Sequence, residues 1–98
     1  MYKSINMNFE WDEEKNQKNI KKHKVSFVQA VHAFSDPLRI EYFDERHSGK
    51  EERYLLFGFA INIVLIVSYT EPDAQTIRII SARKAKKYEL EVVNYGKS

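Results

Sequence analysis

The stretch RYLLFGFAINIVLIVSYT, residues 53–70, determines the fold class of this 98-residue chain. It contains two runs, Arg53–Phe59 and Ile61–Thr70, that are rich in the aromatic and β-branched residues that favour strands. A tight turn near Ala60–Asn62 can join them, and strands joined by a short turn must be antiparallel because parallel neighbours need a long crossover. The stretch therefore predicts an antiparallel hairpin.

Two further strands are predicted on either side of this hairpin. Leu38–Phe43 is short and partly alternating, and the polar loop Asp44–Glu51 separates it from the hairpin. Thr76–Ser81 follows the turn EPDAQ, with Ile77 and Ile79 on one face of the strand. The sequence therefore predicts four strands in a mainly antiparallel sheet.

Two helices are predicted before the strands. Asp12 can cap the first helix, which would run to about His23. Ser26 and Gln29 form the S-x-x-Q capping box of a second helix, whose apolar residues follow the i, i+3, i+4, i+7 spacing of one buried face. Pro37 ends that helix, because the residue before a proline is disfavoured in the helical region.

A last helix is predicted from about Ala82 to Tyr95, capped by Ser81 and stopped by Gly96. The order helix, helix, four strands, helix is typical of an α+β fold in which helices cover one face of the sheet. The length predicts a single domain over residues 1–98.

Composition excludes several classes of function. The chain contains no cysteine, so disulfides and thiolate metal sites are excluded. Its three histidines lack metal-ligand spacing, so we expect neither a metal nor a cofactor. The N-terminus lacks an apolar signal core, and the longest apolar run, Ala60–Val67, is too short to span a bilayer. These features predict a soluble cytoplasmic protein with no membrane partner.

The segment NIKKHKVSF, residues 19–27, contains a first basic cluster. Cations at the end of a helix are favoured by the helix dipole, so a structural interpretation suffices for them. A functional interpretation is that His23, which titrates near neutrality, is harder to protonate among ammonium groups and so is available as a base. Lys21, Lys22 and Lys24 would then hold a phosphate. The residues alone leave both interpretations open.

A second basic cluster lies in ISARKAKK, residues 80–87. Cations at the start of a helix oppose its dipole unless an anion is bound there. Ser81, Arg83 and free backbone N–H groups would make a phosphate site at the predicted helix start. The alternative is a solvated basic face, or ion pairs with Glu89 or Glu91.

Arginines also occur on the predicted strands. If Arg53 and Arg78 point to the same sheet face, that face carries a guanidinium pair with Tyr54 or Tyr69 nearby. Tyrosine rings stack on bases and donate to phosphate, which suits RNA. The alternative is the ordinary solvated face of an antiparallel sheet.

Several motifs together resemble the BrnT family of bacterial type II toxins, from Phe9 to about Tyr95. They are WDEEKNQKNIKKH at residues 11–23 and RIISAR at 78–83, with FSDPL, EERYLLFG and YTE between them. The resemblance implies a RelE-like ribonuclease toxin and a BrnA-type antitoxin, which neutralises the toxin and binds operator DNA as the complex. The family-like positions are Lys15, Asn19, Lys22, His23, Arg53, Tyr69, Arg78, Ser81 and Arg83.

These residues and the resemblance together predict a metal-independent endoribonuclease that inhibits translation and growth. Such an enzyme needs a base for the 2′-hydroxyl, a cation for the phosphorane and an acid for the leaving 5′-oxygen. The alternative is a non-catalytic RNA-binding or interaction module that acts only in a complex. The expected catalytic residues are His23, Arg53, Arg83, Lys22 and Tyr69, and the expected RNA-binding residues are Lys21, Lys24, Arg78, Ser81 and Lys87.

Overall fold

Helices and strands follow one another along most of the described chain. The computed structural model describes residues 7–97 and the backbone of Tyr2–Lys3. No helix in these ranges is long and apolar enough to cross a membrane. The elements are β1 (Tyr2–Lys3), β2 (Asn8–Glu10), α1 (Glu13–His23), α2 (Phe27–Ala33), β3 (Ile40–Phe43), β4 (Arg53–Ala60), β5 (Ile63–Asp73), β6 (Thr76–Lys84) and α3 (Lys87–Val92).

The strands form one sheet in the order β1-β2-β6-β5-β4-β3. The α+β class is confirmed, and the four predicted strands correspond to β3–β6, which pair antiparallel. The expectation that two helices begin the fold is wrong, because β1 and β2 precede α1. β2 pairs with β6 in parallel, Phe9 opposite Ile77. Three residues, NFE, show no periodicity, so the strand conformation of this segment comes from its pairing with β1 and with the later strand β6.

The predicted hairpin is confirmed as β4 and β5, with Ala60 paired to Ile63. Ile61 and Asn62 form the turn, and Ile61 has φ +64°. A β-branched residue is disfavoured in this left-handed region. The pairing along both strands therefore imposes a turn conformation that Ile61 would not adopt by itself.

Asp12 and Ser26 cap the N-terminal helices as predicted. Asp12 accepts hydrogen bonds from the backbone N–H groups of Glu14 (2.8 Å) and Lys15 (3.2 Å). Ser26 accepts one from the Gln29 N–H at 3.0 Å. In a full capping box the Gln29 side chain would also accept a hydrogen bond from the Ser26 N–H. Here it instead donates to the Ala60 carbonyl at 3.5 Å.

The last helix differs from its prediction. β6 continues through Lys84, paired with Leu65, and α3 spans only Lys87–Val92 with Lys86 at its N-cap. Ser81 therefore lies within a strand and caps nothing. The strand extends because β5 offers backbone partners along its whole length, which outweighs a local capping signal. The phosphate site expected at a helix start near Ser81 does not form there.

The main core lies between α2 and one face of the sheet. Its fully buried side chains include Phe9, Phe27, Leu56, Leu65, Val67 and Ile79. α2 lies close to β4 at Gly58, where an added Cβ would lie 2.4 Å from the Ala33 carbonyl oxygen. The close packing of α2 on the sheet therefore requires a residue without a side chain at position 58.

We expect Gly58→Ala to lower the free energy of unfolding by about 1–3 kcal/mol, the usual cost of an overpacked core. The measurement is urea unfolding followed by circular dichroism. Gly49→Ala is the matched control, because a Cβ at Gly49 meets nothing within 4 Å. Equal stability of the two variants would contradict the close approach of α2 to β4.

Asp36, in the FSDPL motif, ties the end of the chain to the sheet. It is buried and accepts hydrogen bonds from the Phe59 N–H at 2.7 Å, the Leu38 N–H at 2.8 Å and the Tyr95 hydroxyl. Burial and the bond to Asp36 raise the pKa of Tyr95 to about 12. The segment after α3 is therefore held against the strands.

Candidate active site

A cleft of about 450 Å³ opens on the sheet face opposite α2. Its floor is formed by β4, β5 and β6, and its walls by the end of α1, the β3–β4 loop and α3. The apolar floor residues Phe57 and Ile66 belong to a small second core, and Leu55 packs against it. The polar residues that line the cleft are His23, Asp44, Arg46, His47, Arg53, Ser68, Ser81, Arg83 and Glu89.

A β-bulge in β6 directs Ser81 and Arg83 into this cleft. Ile79 pairs with Tyr69 and Ser81 with Ser68, which leaves Ile80 as an extra residue without a paired position. Without the bulge, side-chain alternation would place Ser81 and Arg83 on the same face as the core residue Ile79. The bulge reverses the alternation, so both side chains point to the cleft.

Asn19 fixes the position of α1 beside β6. Its Nδ2 donates to the Ala82 carbonyl (2.7 Å) and to the Val25 carbonyl (2.8 Å), and its Oδ1 accepts from the Ala82 N–H (3.1 Å). The amide thus makes both bonds that a neighbouring strand would make to Ala82. Because residues four apart share one helix face, His23 lies one turn beyond Asn19 at the cleft.

His23 is poised to accept a proton. Its pKa is lowered from 6.5, first by burial and then by the charges of Lys22 and Arg83. The direction agrees with the sequence-based expectation, although burial is the first cause. The imidazole is therefore neutral near pH 7, which is the form that can act as a base.

Arg83 forms a bidentate ion pair with Glu89 of α3. Its two terminal nitrogens lie 2.9 and 2.7 Å from the two carboxylate oxygens. These bonds from Arg83 lower the pKa of Glu89 to about 2. The ion pair weighed as an alternative is therefore present, and it fixes the guanidinium within the cleft. A guanidinium has five N–H donors, so the pair leaves capacity for a phosphate.

Tyr69 is not in the cleft. Its side chain is 2% exposed and belongs to the main core. Its ring stacks on Tyr54 at 5.5 Å and meets Phe34 edge-on. Burial raises the pKa of its hydroxyl further above the ordinary value. Tyr69 follows the cleft residue Ser68 in β5. Because side chains alternate along a strand, the two point to opposite faces of the sheet.

Arg78 is also outside the cleft. It forms ion pairs with Glu10 at 2.7 Å and with Glu51 at 3.4 Å. These contacts join β2 and the segment before β4 to β6. The guanidinium pair of Arg53 and Arg78 therefore does not assemble at the cleft, and only Arg53 lines it.

The lysines predicted for the site lie outside the cleft. Lys22 adjoins His23 and acts on it through charge, but it is exposed and does not line the cleft. Lys21, Lys24 and Lys87 are exposed as well. Of the predicted site residues, the structure brings together His23, Arg53, Ser81 and Arg83.

Three cleft residues of one loop were not predicted, namely Asp44, Arg46 and His47. They lie in the β3–β4 loop, which the sequence shows only as a polar segment without periodicity. A histidine three residues after an aspartate was the available signal. Over residues 7–97, no group of three or more histidines and carboxylates is placed to hold a metal ion.

Residues 11–89 match the model of a family described as ribonuclease toxin, BrnT, of type II toxin–antitoxin system. The chain belongs to the BrnT family. Membership in a type II toxin family implies an antitoxin partner. The WDEEKNQKNIKKH motif of the BrnT resemblance now has a structural role, because it supplies Asp12, Asn19 and His23.

A crystal structure of the ribonuclease toxin BrnT of Brucella abortus shares the fold, with a TM-score of 0.64. The match covers 83% of this chain and 99% of that chain at 23% sequence identity. No curated protein matches the chain. The BrnT fold therefore accounts for the three helices and the sheet described above.

Proposed function

We propose that this chain is a metal-independent endoribonuclease that cleaves RNA in the cleft between α1, the β3–β4 loop and α3. The observation that carries the proposal is the neutral His23 beside Arg83, with Arg53 lining the same cleft. A base and two guanidinium groups are what phosphoryl transfer from the 2′-hydroxyl requires. Cleavage of cellular RNA would inhibit translation and growth.

RNA is the substrate that suits these groups, because it supplies its own nucleophile. His23 takes the proton of the 2′-hydroxyl while that oxygen attacks the neighbouring phosphorus. Arg53 and Arg83 stabilise the negative charge that develops on the phosphorane. Ser81 completes the phosphate pocket. Lys22 contributes by keeping His23 neutral rather than by touching the phosphate.

The exposed lysines extend this site into a surface for the RNA backbone. Lys21 and Lys24 stand at the end of α1 next to His23, and Lys87 begins α3 beside Glu89. Phosphate contacts of this kind add affinity without sequence preference. Arg78 would contact the RNA backbone only by exchanging its carboxylate partners for phosphate. Tyr69 supports the site indirectly, through the main core.

The partner follows from the type II family. We propose a BrnA-type antitoxin that neutralises the toxin, with operator DNA bound only through the complex. The cytoplasm is the compartment in which such a toxin meets RNA. The cleft is the surface whose occlusion would stop cleavage.

Incubation of the purified free chain with RNA in the presence of EDTA tests the proposal. The wild-type chain is expected to cleave RNA, and Arg83→Ala to cleave about 10²–10³-fold more slowly, the usual cost of losing one donor to a developing oxyanion. Arg39→Ala is the control, because Arg39 is exposed and lies outside the cleft.

The outcome also separates the alternatives. RNA binding that weakens steeply with salt but yields no products would favour a non-catalytic binding module. Cleavage that disappears with EDTA would contradict metal independence. Growth arrest on expression of the wild-type chain, with fragmented RNA, would support the toxin function.

A further inference from the structure

The β3–β4 loop brings a second histidine to the cleft. His47 lines it together with Asp44, and neither belongs to a helix or strand. His47 Nδ1 lies 2.9 Å from Asp44 Oδ2. The Asp44 side chain is only 10% exposed, while that of His47 is 66% exposed. A largely buried carboxylate therefore holds an accessible imidazole at the rim of the cleft.

The loop is fixed at its base, so the position of His47 is defined. The Asp44 N–H donates to the Arg53 carbonyl at 2.8 Å. The Ser48 hydroxyl donates to the Asp44 carbonyl at 2.6 Å and accepts from the Arg53 N–H at 2.9 Å. These bonds tie both ends of the segment Asp44–Ser48 to the first residue of β4, which also lines the cleft.

We propose that His47 is a catalytic residue, the general acid that protonates the leaving 5′-oxygen, and that Asp44 is its positioning residue. This assignment rests on the proposed ribonuclease function. His23 and His47 enter the cleft from different elements, α1 and the β3–β4 loop. A base and an acid on separate elements can face the two oxygens that lie on opposite sides of the reacting phosphorus.

The hydrogen bond to Asp44 determines which proton His47 gives up. The carboxylate holds the proton on Nδ1, so Nε2 is the ring nitrogen that faces the substrate. In the step, the 2′-oxygen forms a bond to phosphorus and its proton passes to His23. The bond from phosphorus to the 5′-oxygen breaks, and that oxygen takes the Nε2 proton of His47. The products are a 2′,3′-cyclic phosphate and a 5′-hydroxyl, with no change in oxidation state.

A substrate with sulfur in place of the leaving 5′-oxygen tests this assignment. A thiol is acidic, with a pKa of about 8.5 in cysteine, so a thiolate leaves without receiving a proton. An oligoribonucleotide whose cleavage position is mapped with the wild-type chain is made in both forms. Cleavage rates are then compared for His47→Ala, His23→Ala and the control His32→Ala, an exposed histidine outside the cleft.

We expect His47→Ala to cleave the normal substrate about 10²-fold more slowly, at the low end of general acid catalysis, and to recover near-wild-type rates on the sulfur substrate. His23→Ala should be slow on both substrates, because the 2′-hydroxyl still needs a base. Asp44→Asn should show a smaller loss with the same recovery, and Asp44→Glu should restore part of the rate.

Two results would overturn the assignment while leaving the ribonuclease function standing. One is a His47→Ala variant that cleaves the normal substrate at the wild-type rate. The other is a variant that is equally slow on both substrates. A wild-type chain that cleaves neither substrate would overturn the proposed function and this assignment with it. Circular dichroism of each variant checks that it is folded, which we expect for His47→Ala because this side chain is largely exposed.

Discussion

Replacing His23 by alanine is expected to slow RNA cleavage by about 10²–10⁴-fold, the range of general base catalysis, and to abolish growth arrest on expression. The reason is that His23 is the histidine at the cleft whose pKa is lowered by burial, Lys22 and Arg83, so it is neutral and able to accept a proton. The measurements are product formation from RNA and growth after induction. His32→Ala should remain as toxic as the wild-type chain.

The same assignment sets a direction for the pH dependence. A base acts in its neutral form, and because the pKa of His23 is lowered from 6.5, its imidazole is protonated at a lower pH than that of an ordinary histidine. The acid limb of kcat/KM should therefore lie below pH 6.5. Lys22→Gln removes one of the charges that lower this pKa, so it should move the acid limb to higher pH. Full toxicity of both His23→Ala and Arg83→Ala would show that the site is elsewhere.

Asn19→Leu is expected to have the largest effect on stability. The substitution leaves the Ala82 N–H, the Ala82 carbonyl and the Val25 carbonyl without their buried partner. Each unsatisfied buried group costs about 1–3 kcal/mol, so we expect a loss of at least about 3 kcal/mol in the free energy of unfolding. Urea unfolding measures it.

Gln17→Leu is the matched control for Asn19→Leu, because Gln17 lies on the exposed side of the same helix. It should change the stability by no more than about 0.5 kcal/mol. Asn19→Leu should also slow cleavage, since the end of α1 would no longer hold His23 against β6. Stability close to that of the control would contradict the role of Asn19 at the sheet edge.

The sequence predicted those parts of the fold that depend on neighbouring residues. The hairpin of β4 and β5 follows from strand-forming residues around a tight turn, and Asp12 and Ser26 cap their helices through bonds to the next few residues. β2 and the end of β6 depend on partners far along the chain. Neither the three-residue NFE nor the Ser81 capping signal carries that information.

The residues of the candidate site were likewise predicted only in part from the sequence. His23, Arg53 and Arg83 were expected from the family motifs, and the structure brings them to one cleft. Tyr69 matched the motif equally well but lies in the core, because regular alternation along β5 places it on the sheet face opposite Ser68. The bulge at Ile80 determines that Ser81 and Arg83 of β6 face the cleft. A bulge has no local sequence signal here, and the loop residue His47 belongs to no motif.

The pairing of distant segments also has a consequence for synthesis of the protein. Asn19 bonds to Ala82 across 63 residues of chain, and β2 pairs with β6. Contacts of this length form late and slow folding. During translation, His23 emerges from the ribosome well before Arg83. The cleft therefore cannot assemble on a nascent chain before Arg83 and Glu89 have also left the ribosome.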